Sequence, residues 1–188
     1  MSERKIVYYE VEFFSYWHCS SGQAAGADVD ELVVKDSDGL PYIPGRTLKG
    51  LLRDAANEIG VEQTIVYAIF GKEPSKDEFE DELVKGKCFF SNAELPIEEH
   101  RYLANHKILS RHLFQKIAAT AIDENGITKD HSLRKSEVVV PCKLLAEVHG
   151  VTDNQAHVIE QTMRYIKRLG KGRSRGLGRC AFKVVKCI

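Results

Sequence analysis

Hydrophobic and polar residues alternate in several short segments of this 188-residue chain. In the first, residues 5–17 (KIVYYEVEFFSYW), Glu10 and Glu12 alternate with apolar and aromatic neighbours, which predicts a strand with one solvent-facing side. Three more segments predict strands, at residues 87–95, 137–149 and 179–188. Pro141 interrupts the middle one of these three, as at an edge strand or a bulge.

Two segments between these strands show the spacing of amphipathic helices. Apolar residues recur at helical intervals over 48–59, and Thr47 is placed to cap that helix. The second helix begins after Thr152, which forms a capping-box pattern with Gln155, and it ends before Gly170. Each helix therefore lies between two predicted strands.

The order of elements is strand-helix-strand-strand-helix-strand (βαββαβ). This order predicts an α+β fold of the ferredoxin-like or RRM-like type, with residues 1–188 in a single domain. About forty residues, 96–136, separate the second strand from the third and include a helical stretch near 108–121. Because this insertion is longer than a connection needs, we expect it to carry a function.

The composition excludes several classes of protein. The chain is 43% hydrophobic and 29% charged, as in an ordinary globular domain, and has no apolar run of membrane-spanning length. Its first residues show no signal-peptide core, so we expect a cytoplasmic protein without a membrane partner. Five cysteines without a C-x-x-C pair argue against a disulfide framework or zinc site and favour free thiols: Cys19, Cys88, Cys142, Cys180 and Cys187.

Charge is balanced overall but unevenly distributed along the chain. The 27 basic and 27 acidic residues cancel, so the net charge gives no argument for a nucleic-acid partner. From Gln161 onward, however, the sequence has no Asp or Glu and carries these cations: Arg164, Lys167, Arg168, Lys171, Arg173, Arg175, Arg179, Lys183 and Lys186. This basic end is the candidate anion-binding surface.

Residues 42–53 (YIPGRTLKGLLR) combine a Pro-Gly turn with a helix start. Lys49 and Arg53 are four residues apart, so both lie on one face of the helix. The unpaired N–H groups of a first helical turn add partial positive charge that suits a phosphate. The segment predicts an anion clamp, and the alternative interpretation is a capped helix with two solvated cations.

The Gly-rich loop, residues 170–179 (GKGRSRGLGR), carries four glycines and four cations. Glycines allow backbone N–H groups to approach an anion closely, and the cations neutralise it. The spacing fits neither a dinucleotide fingerprint nor a P-loop, and the alternative interpretation is a flexible surface turn. Leu177 and Arg179 stand where an RRM has base-stacking aromatics, so we expect contacts to an RNA backbone rather than stacking of bases.

Together these segments resemble the RAMP superfamily of CRISPR-associated proteins. Residues 42–53 match its proline-glycine helix motif, and residues 170–178 match its signature glycine-rich loop. Shorter matches follow in the expected order at residues 18–22, 69–71, 86–95 and 121–141. The resemblance covers residues 18–182.

The resemblance implies a backbone subunit of a type III effector complex in antiviral defence. Such subunits line up head to tail along a guide RNA (crRNA), contact its phosphates, and leave sequence recognition to base pairing with the target RNA. The implied partners are guide RNA, target RNA and other effector subunits, and the insertion would form a thumb-like wedge between neighbours. The implied RNA-binding residues are His18, Arg46, Lys49, Arg53, Gly170, Lys171, Gly172, Arg173, Arg175, Gly176, Gly178 and Arg179.

Residues 28–31 (DVDE) place three carboxylates within four residues. One or two carboxylates together with substrate phosphates are a common Mg²⁺ site, although an acidic surface loop is the alternative interpretation. The resemblance implies a catalytic aspartate in this loop for metal-dependent cleavage of target RNA. It places that residue at Asp30, which would also be the ligand of Mg²⁺ or another divalent cation, with Asp28 as the alternative.

Two other functions stay open on the sequence alone. The first is a non-catalytic structural or terminal RAMP subunit, in which residues 28–31 are only a polar loop. The second is a guide-processing endoribonuclease that works without metal and uses His18 as general acid or base.

Overall fold

The computed structural model describes residues 4–22, 29–72, 85–120, 123–127 and 132–188. Its strands are β1 Lys5–Phe13, β2 Phe89–Phe90, β3 Phe114–Ala119, β4 Arg134–Val139, β5 Lys143–Val151 and β6 Cys180–Cys187. Its α-helices are α1 Gly45–Glu58, α2 Gln63–Phe70, α3 Ile97–Asn105, α4 Lys107–Ser110 and α5 Asp153–Tyr165. Two short 3-10 turns lie at Arg111–Leu113 and Arg173–Arg175.

The main sheet is antiparallel and has the strand order β2-β5-β1-β6, whereas β3 and β4 form a separate hairpin. In β1, Val7, Tyr9, Val11 and Phe13 are buried and the residues between them are partly exposed. This alternation turns one face of the sheet inward. The predicted combination of helices with antiparallel strands is confirmed.

Helices α1 and α5 cover that inward face. Leu48 and Leu52 of α1 and Ile159 and Met163 of α5 are at most 1% exposed, and burial of each such side chain contributes about 2 kcal/mol. The predicted capping box of α5 is confirmed: the Gln155 amide donates to the Thr152 hydroxyl, and the Thr152 amide donates to the Gln155 side chain.

The start of α1 is fixed against β2. A Cβ atom on Gly45 would overlap the carbonyl oxygen of Phe90, so only glycine fits there. The Gly45 amide donates to Oδ1 of Asn92 at 3.0 Å. The first turn of α1, with its cations, is therefore held in one orientation on the sheet.

Two predictions about the helices are wrong. Helix α1 begins at Gly45 after Pro44, and no side chain caps it, so Thr47 lies inside the first turn and is not the cap. The helical stretch predicted near 108–121 ends at Leu113, and Phe114–Ala119 is a strand. Pairing with β4 overrides the local helical pattern in that segment.

Two predicted strands differ from the observed ones. Residues 137–149 do not form one interrupted strand, because Pro141 lies between β4 of the hairpin and β5 of the main sheet. Within the predicted strand 87–95, only Phe89–Phe90 has regular strand pairing. The cysteines are free thiols, as expected. Within the described ranges, every helix is too short or too polar to cross a membrane.

Candidate nucleic-acid interface

The Gly-rich loop packs on the segment that follows β1. The backbone amide of Lys171 donates to the carbonyl of His18 at 3.0 Å, and the amide of Gly178 donates to the carbonyl of Tyr16 at 2.7 Å. The loop thus lies along residues 16–18 and is joined to them at both of its ends.

The start of α1 meets the same segment from another side. Burial raises the pKa of the Cys19 thiol, while a hydrogen bond with the Thr47 hydroxyl and the positive charge of Arg46 act in the opposite direction. Thr47 and Arg46 therefore lie beside Cys19, next in sequence to the residue that bonds the Gly-rich loop. Residues 16–19 join the two predicted anion-binding regions.

Two glycines of the loop are required by close packing. Gly170 and Gly178 have φ of 91° and 69°, and a Cβ on either would overlap a carbonyl oxygen, that of His18 or of Leu169 respectively. Gly176 also has a positive φ, 88°, but has no atom within 4 Å of a Cβ position. The outer two glycines set the path of the loop.

Five of the ten backbone amides of the loop donate within the protein. Donors bonded to protein oxygens are the amides of residues 171, 175, 177, 178 and 179. These groups are not available to an anion, so the loop offers its cationic side chains rather than a row of amides.

The cations of the loop differ in their surroundings. Lys171 forms an ion pair with Glu31, and the Arg179 guanidinium lies 5.6 Å from the centre of the Phe14 ring. Arg173 and Arg175 occupy the exposed 3-10 turn, and their side chains have no partner within the part of the chain that the structure describes. These two arginines are the exposed charges of the loop.

The cations of α1 form a second surface. Arg46, Lys49 and Arg53 line a shallow depression of about 340 Å³, together with Lys72 and residues 70–71 at the end of α2. Arg53 also lies 3.6 Å from the Asp54 carboxylate. The predicted i, i+4 arrangement of Lys49 and Arg53 on one face is observed, and Lys49 faces the end of α2. We call these residues the helix-start surface.

Asp30 is bonded to the hairpin. Its amide donates to the carbonyl of Lys135 at 2.9 Å, and its Oδ2 accepts the Lys135 amide at 2.7 Å. This reciprocal pair fixes Asp30 beside β4 while the residue stays exposed. Asp28, the alternative catalytic residue, lies outside the described residues.

Glu31 connects the hairpin to the Gly-rich loop. Its Oε1 accepts from the Lys171 ammonium, and its Oε2 accepts from the Ser136 hydroxyl at 3.4 Å. The hydrogen bond from Lys171 lowers the pKa of Glu31 most, burial opposes it, and the charges of Lys171 and His18 lower it further. The carboxylate is therefore held in its charged form between the hairpin and the Gly-rich loop.

His18 is buried, with 1% of its surface exposed. Its Nδ1 lies 2.6 Å from the carbonyl oxygen of Glu137, and Nε2 is buried without a partner within the described residues. Because a carbonyl oxygen can only accept, Nδ1 carries a proton and donates it to this bond. His18 thus supports the interface from behind and does not face solvent.

Sequence reasoning missed one cluster of metal-ligand residue types. Asp36, Asp38 and His100 bring ligand atoms within 4.8 Å of one another. However, Oδ1 of Asp36 accepts the amides of Asp38 and Leu40, each at 2.9 Å, and Oδ2 lies 2.7 Å from Nε2 of His100. These hydrogen bonds explain why the three side chains are close together: Asp36 stabilises the turn at residues 36–40 and joins it to His100 of α3. Because Asp36 and His100 are 64 positions apart in sequence, no local spacing signals the contact.

Comparison with known families gives one family match. The sequence model of the RAMP superfamily matches residues 10–181, which include the helix-start surface, the hairpin and the Gly-rich loop. No curated protein matches the chain.

The solved structures that share the fold include two of type III-B Cmr-beta. A cryo-EM structure of the type III-B Cmr-beta bound to cognate target RNA contains a chain with 11% identity and a TM-score of 0.71; the match covers 95% of this chain and 96% of that one. A cryo-EM structure of type III-B Cmr-beta in the apo state contains a chain with 13% identity and a TM-score of 0.71, covering 96% and 97%. At these identities the likeness establishes the fold.

Proposed function

We propose that this chain, which belongs to the RAMP superfamily, is a backbone-type subunit of a type III CRISPR effector complex and holds guide RNA by its sugar-phosphate backbone. The observation that carries the proposal is that the Gly-rich loop and the first turn of α1 both adjoin residues 16–19. Two of the solved structures that share the fold are Cmr-beta structures, one of them bound to cognate target RNA.

Binding would depend on charge and not on base sequence. The helix-start surface presents Arg46, Lys49 and Arg53, and the Gly-rich loop presents Arg173 and Arg175. Cations that neutralise phosphates release counterions and carry no sequence information. A guide holder needs this property, because pairing between guide and target supplies the specificity.

The finer architecture fits this role. We assign the main sheet with α1 and α5 to a ferredoxin-like, RRM-like palm, since the strand order β2-β5-β1-β6 matches that type. The β3-β4 hairpin, most of which lies in the insertion, would serve as the thumb-like wedge between neighbouring subunits. Head-to-tail contacts of this kind build an open filament along the guide.

The same subunit would cleave paired target RNA through Asp30. With Oδ2 bonded to the Lys135 amide and both Glu31 oxygens engaged, Asp30 offers one carboxylate oxygen to Mg²⁺ or another divalent cation. One carboxylate completed by substrate phosphates fits the usual Mg²⁺ site. When bound, such a cation would stabilise charge on the reacting phosphodiester, and the reciprocal bonds with Lys135 would keep Asp30 in position.

An assembled complex tests the cleavage. Asp30→Asn keeps an oxygen that can accept the Lys135 amide but removes the charge, so target cleavage in Mg²⁺ should be lost while assembly and RNA binding persist. EDTA should abolish cleavage by the unmodified complex. Cleavage that persists in Asp30→Asn and also in Asp28→Ala would refute the catalytic assignment.

A non-catalytic subunit is the second candidate, and the bonds between Asp30 and Lys135 favour it. They give the carboxylate a structural use, the attachment of residues 29–31 to β4. In this case the unmodified complex does not cut target RNA, and Asp30→Ala lowers the unfolding temperature while leaving guide binding intact. A guide-processing role for His18 has less support, because its ring is buried behind the interface.

A further inference from the structure

The segment that carries Asp30 lies between the hairpin and the Gly-rich loop. Glu31 forms a parallel bridge with Ser136, and the Glu137 amide donates to the carbonyl of Glu31 at 3.0 Å. The segment therefore runs along β4. Neighbouring side chains of an extended chain point to opposite sides, so Glu31 reaches the loop while Asp30 stays exposed to solvent.

His18 and Glu31 each connect the Gly-rich loop to β4. The carbonyl of His18 accepts the Lys171 amide at 3.0 Å, and the ring of His18 donates to the carbonyl of Glu137 at 2.6 Å. The carboxylate of Glu31 accepts from the Lys171 ammonium and from the Ser136 hydroxyl. Lys171 is thus the loop end of both connections, and two adjacent residues of β4 are the other end.

Of these two connections, the one through Glu31 acts on Asp30 directly. Glu31 follows Asp30 in the chain, so a peptide bond joins the two residues. Glu31 is also bonded to Ser136, and the residue before it, Lys135, forms the reciprocal backbone and side-chain bonds with Asp30. A displacement of the Glu31 carboxylate therefore reaches Asp30 both along the chain and through β4.

We propose that Glu31 is a positioning residue that determines which phosphodiester of the target RNA reaches Asp30. This role rests on the proposed function, in which the Gly-rich loop holds guide phosphates and Asp30 cuts the paired strand. Base pairing fixes the target relative to the guide, so the distance between the loop and Asp30 sets the position of the cut. Adjacent phosphates of one duplex strand are separated by about 3 Å along the axis, and a shift of that size selects a different bond.

The contact can be weakened without unfolding the protein. The side chains of Glu31 and Lys171 are 24% and 52% exposed, and an ion pair with this exposure adds little to stability. Glu31→Gln keeps the size of the side chain and an oxygen that can accept from Ser136, but it removes the charge that attracts the ammonium. Altered cutting by this variant therefore reports the position of Asp30 rather than loss of the fold.

Cleavage of an end-labelled target RNA by the assembled complex in Mg²⁺ tests the proposal, with the products mapped to single nucleotides. Guide binding by the Glu31→Gln complex should stay within about twofold of the unmodified complex, because Glu31 is an anion and makes no phosphate contact. The rate at the original cut position should fall about tenfold, since a displacement of about 1 Å has effects of that size or larger. New cuts should appear at the neighbouring phosphodiesters.

Glu10→Gln is the matched control. Glu10 and Lys143 form an ion pair with exposures of 20% and 50%, close to those of Glu31 and Lys171, but this pair lies on the main sheet. Its loss should change neither the rate nor the position of the cut. The reversed pair, Glu31→Lys with Lys171→Glu, should return the cuts to the original position even where less guide is bound, because position does not depend on the amount of complex.

Contrary results separate the positioning role from the proposed function. An unchanged rate and position in Glu31→Gln would overturn the role of Glu31 and leave cleavage by Asp30 in place. A lower rate without new cut positions would assign Glu31 to stability and would overturn its positioning role as well. No cutting by the unmodified complex, with guide still bound, would refute the cleavage part of the proposed function, and the role of Glu31 would fail with it.

Discussion

The helix-start surface and the Gly-rich loop both carry glycine and cations, but they use them differently. At the helix start, one glycine, Gly45, packs against β2, and the cations that follow line an open depression. In the loop, Gly170 and Gly178 pack against carbonyl groups, five of the ten amides donate within the protein, and Lys171 is paired with Glu31.

Because of this difference, the cations of α1 are expected to matter for RNA binding, and the packed residues of the loop are expected to matter for folding. The fold of the helix is set by burial of its inner face, so its shape does not depend on its outer cations. The loop lacks the regular backbone hydrogen bonds of a helix. Its shape depends on the positions of its glycines and on contacts with residues 16–18. Substitutions in the loop should therefore affect stability first, whereas substitutions of the helix cations should affect RNA affinity alone.

The largest effect should come from Gly178→Ala. The added Cβ would overlap the Leu169 carbonyl oxygen at a residue with φ of 69°, so we expect a loss of about 3 kcal/mol or more in the free energy of unfolding. For a chain of this length that corresponds to roughly 10 °C in unfolding temperature. Thermal unfolding followed by circular dichroism measures it.

Gly176→Ala is the matched control for that measurement. Its φ of 88° imposes a backbone cost of about 1 kcal/mol, but nothing lies within 4 Å of the new Cβ. Equal destabilisation by the two substitutions would show that positive φ alone matters and that close packing of Gly178 does not shape the loop.

A smaller effect is expected from Lys49→Ala. Removing one phosphate contact at the helix-start surface should weaken single-stranded RNA binding about fivefold, equally for unrelated sequences, and reduce the slope of log affinity against log salt by about 0.7. Lys171→Ala should weaken binding less, because Glu31 already neutralises that ammonium. Titrations of labelled RNA at several salt concentrations measure both.

Two results would break this comparison. A loss of affinity that depends on the RNA sequence would contradict backbone binding by Lys49. A larger loss for Lys171→Ala than for Lys49→Ala would mean that Lys171 leaves Glu31 to contact RNA, and the loop would then be the stronger half of the surface.

Elements defined by local signals could be predicted from the sequence. Alternation in β1 and the capping box of α5 involve residues close in sequence, so the pattern contains the information. Strand β3 could not be predicted, because residues 114–119 take that form by pairing with 134–139 across the hairpin. Helix α3 has no buried residue, and its weak apolar pattern gave no signal.

The same limit applies to the site. The shared face of Lys49 and Arg53 follows from their spacing on one helix, and it is observed. The ion pair between Glu31 and Lys171 joins residues 140 apart, and no sequence spacing reports it. Likewise, the role of Gly178 in packing depends on the position of the Leu169 carbonyl, which only the folded loop defines.

The smallest effect should come from Glu31→Gln. The ion pair with Lys171 is partly exposed, so its loss should cost less than about 1 kcal/mol at pH 7. Since the folded-state pKa of Glu31 is lowered below 4.5, its contribution is complete above that value and disappears as pH falls through the folded pKa. The difference in unfolding temperature between the two proteins should therefore shrink between pH 6 and pH 3.

The reversed pair, Glu31→Lys with Lys171→Glu, supplies the control. It should recover part of the stability lost in Glu31→Lys, because opposite charges again face each other between the hairpin and the loop. If the difference for Glu31→Gln stays constant across the pH range, the Ser136 hydrogen bond and not the charge of Lys171 holds Glu31. The loop would then be attached to the hairpin without an electrostatic contribution. The smaller loss of RNA affinity expected for Lys171→Ala would need another cause.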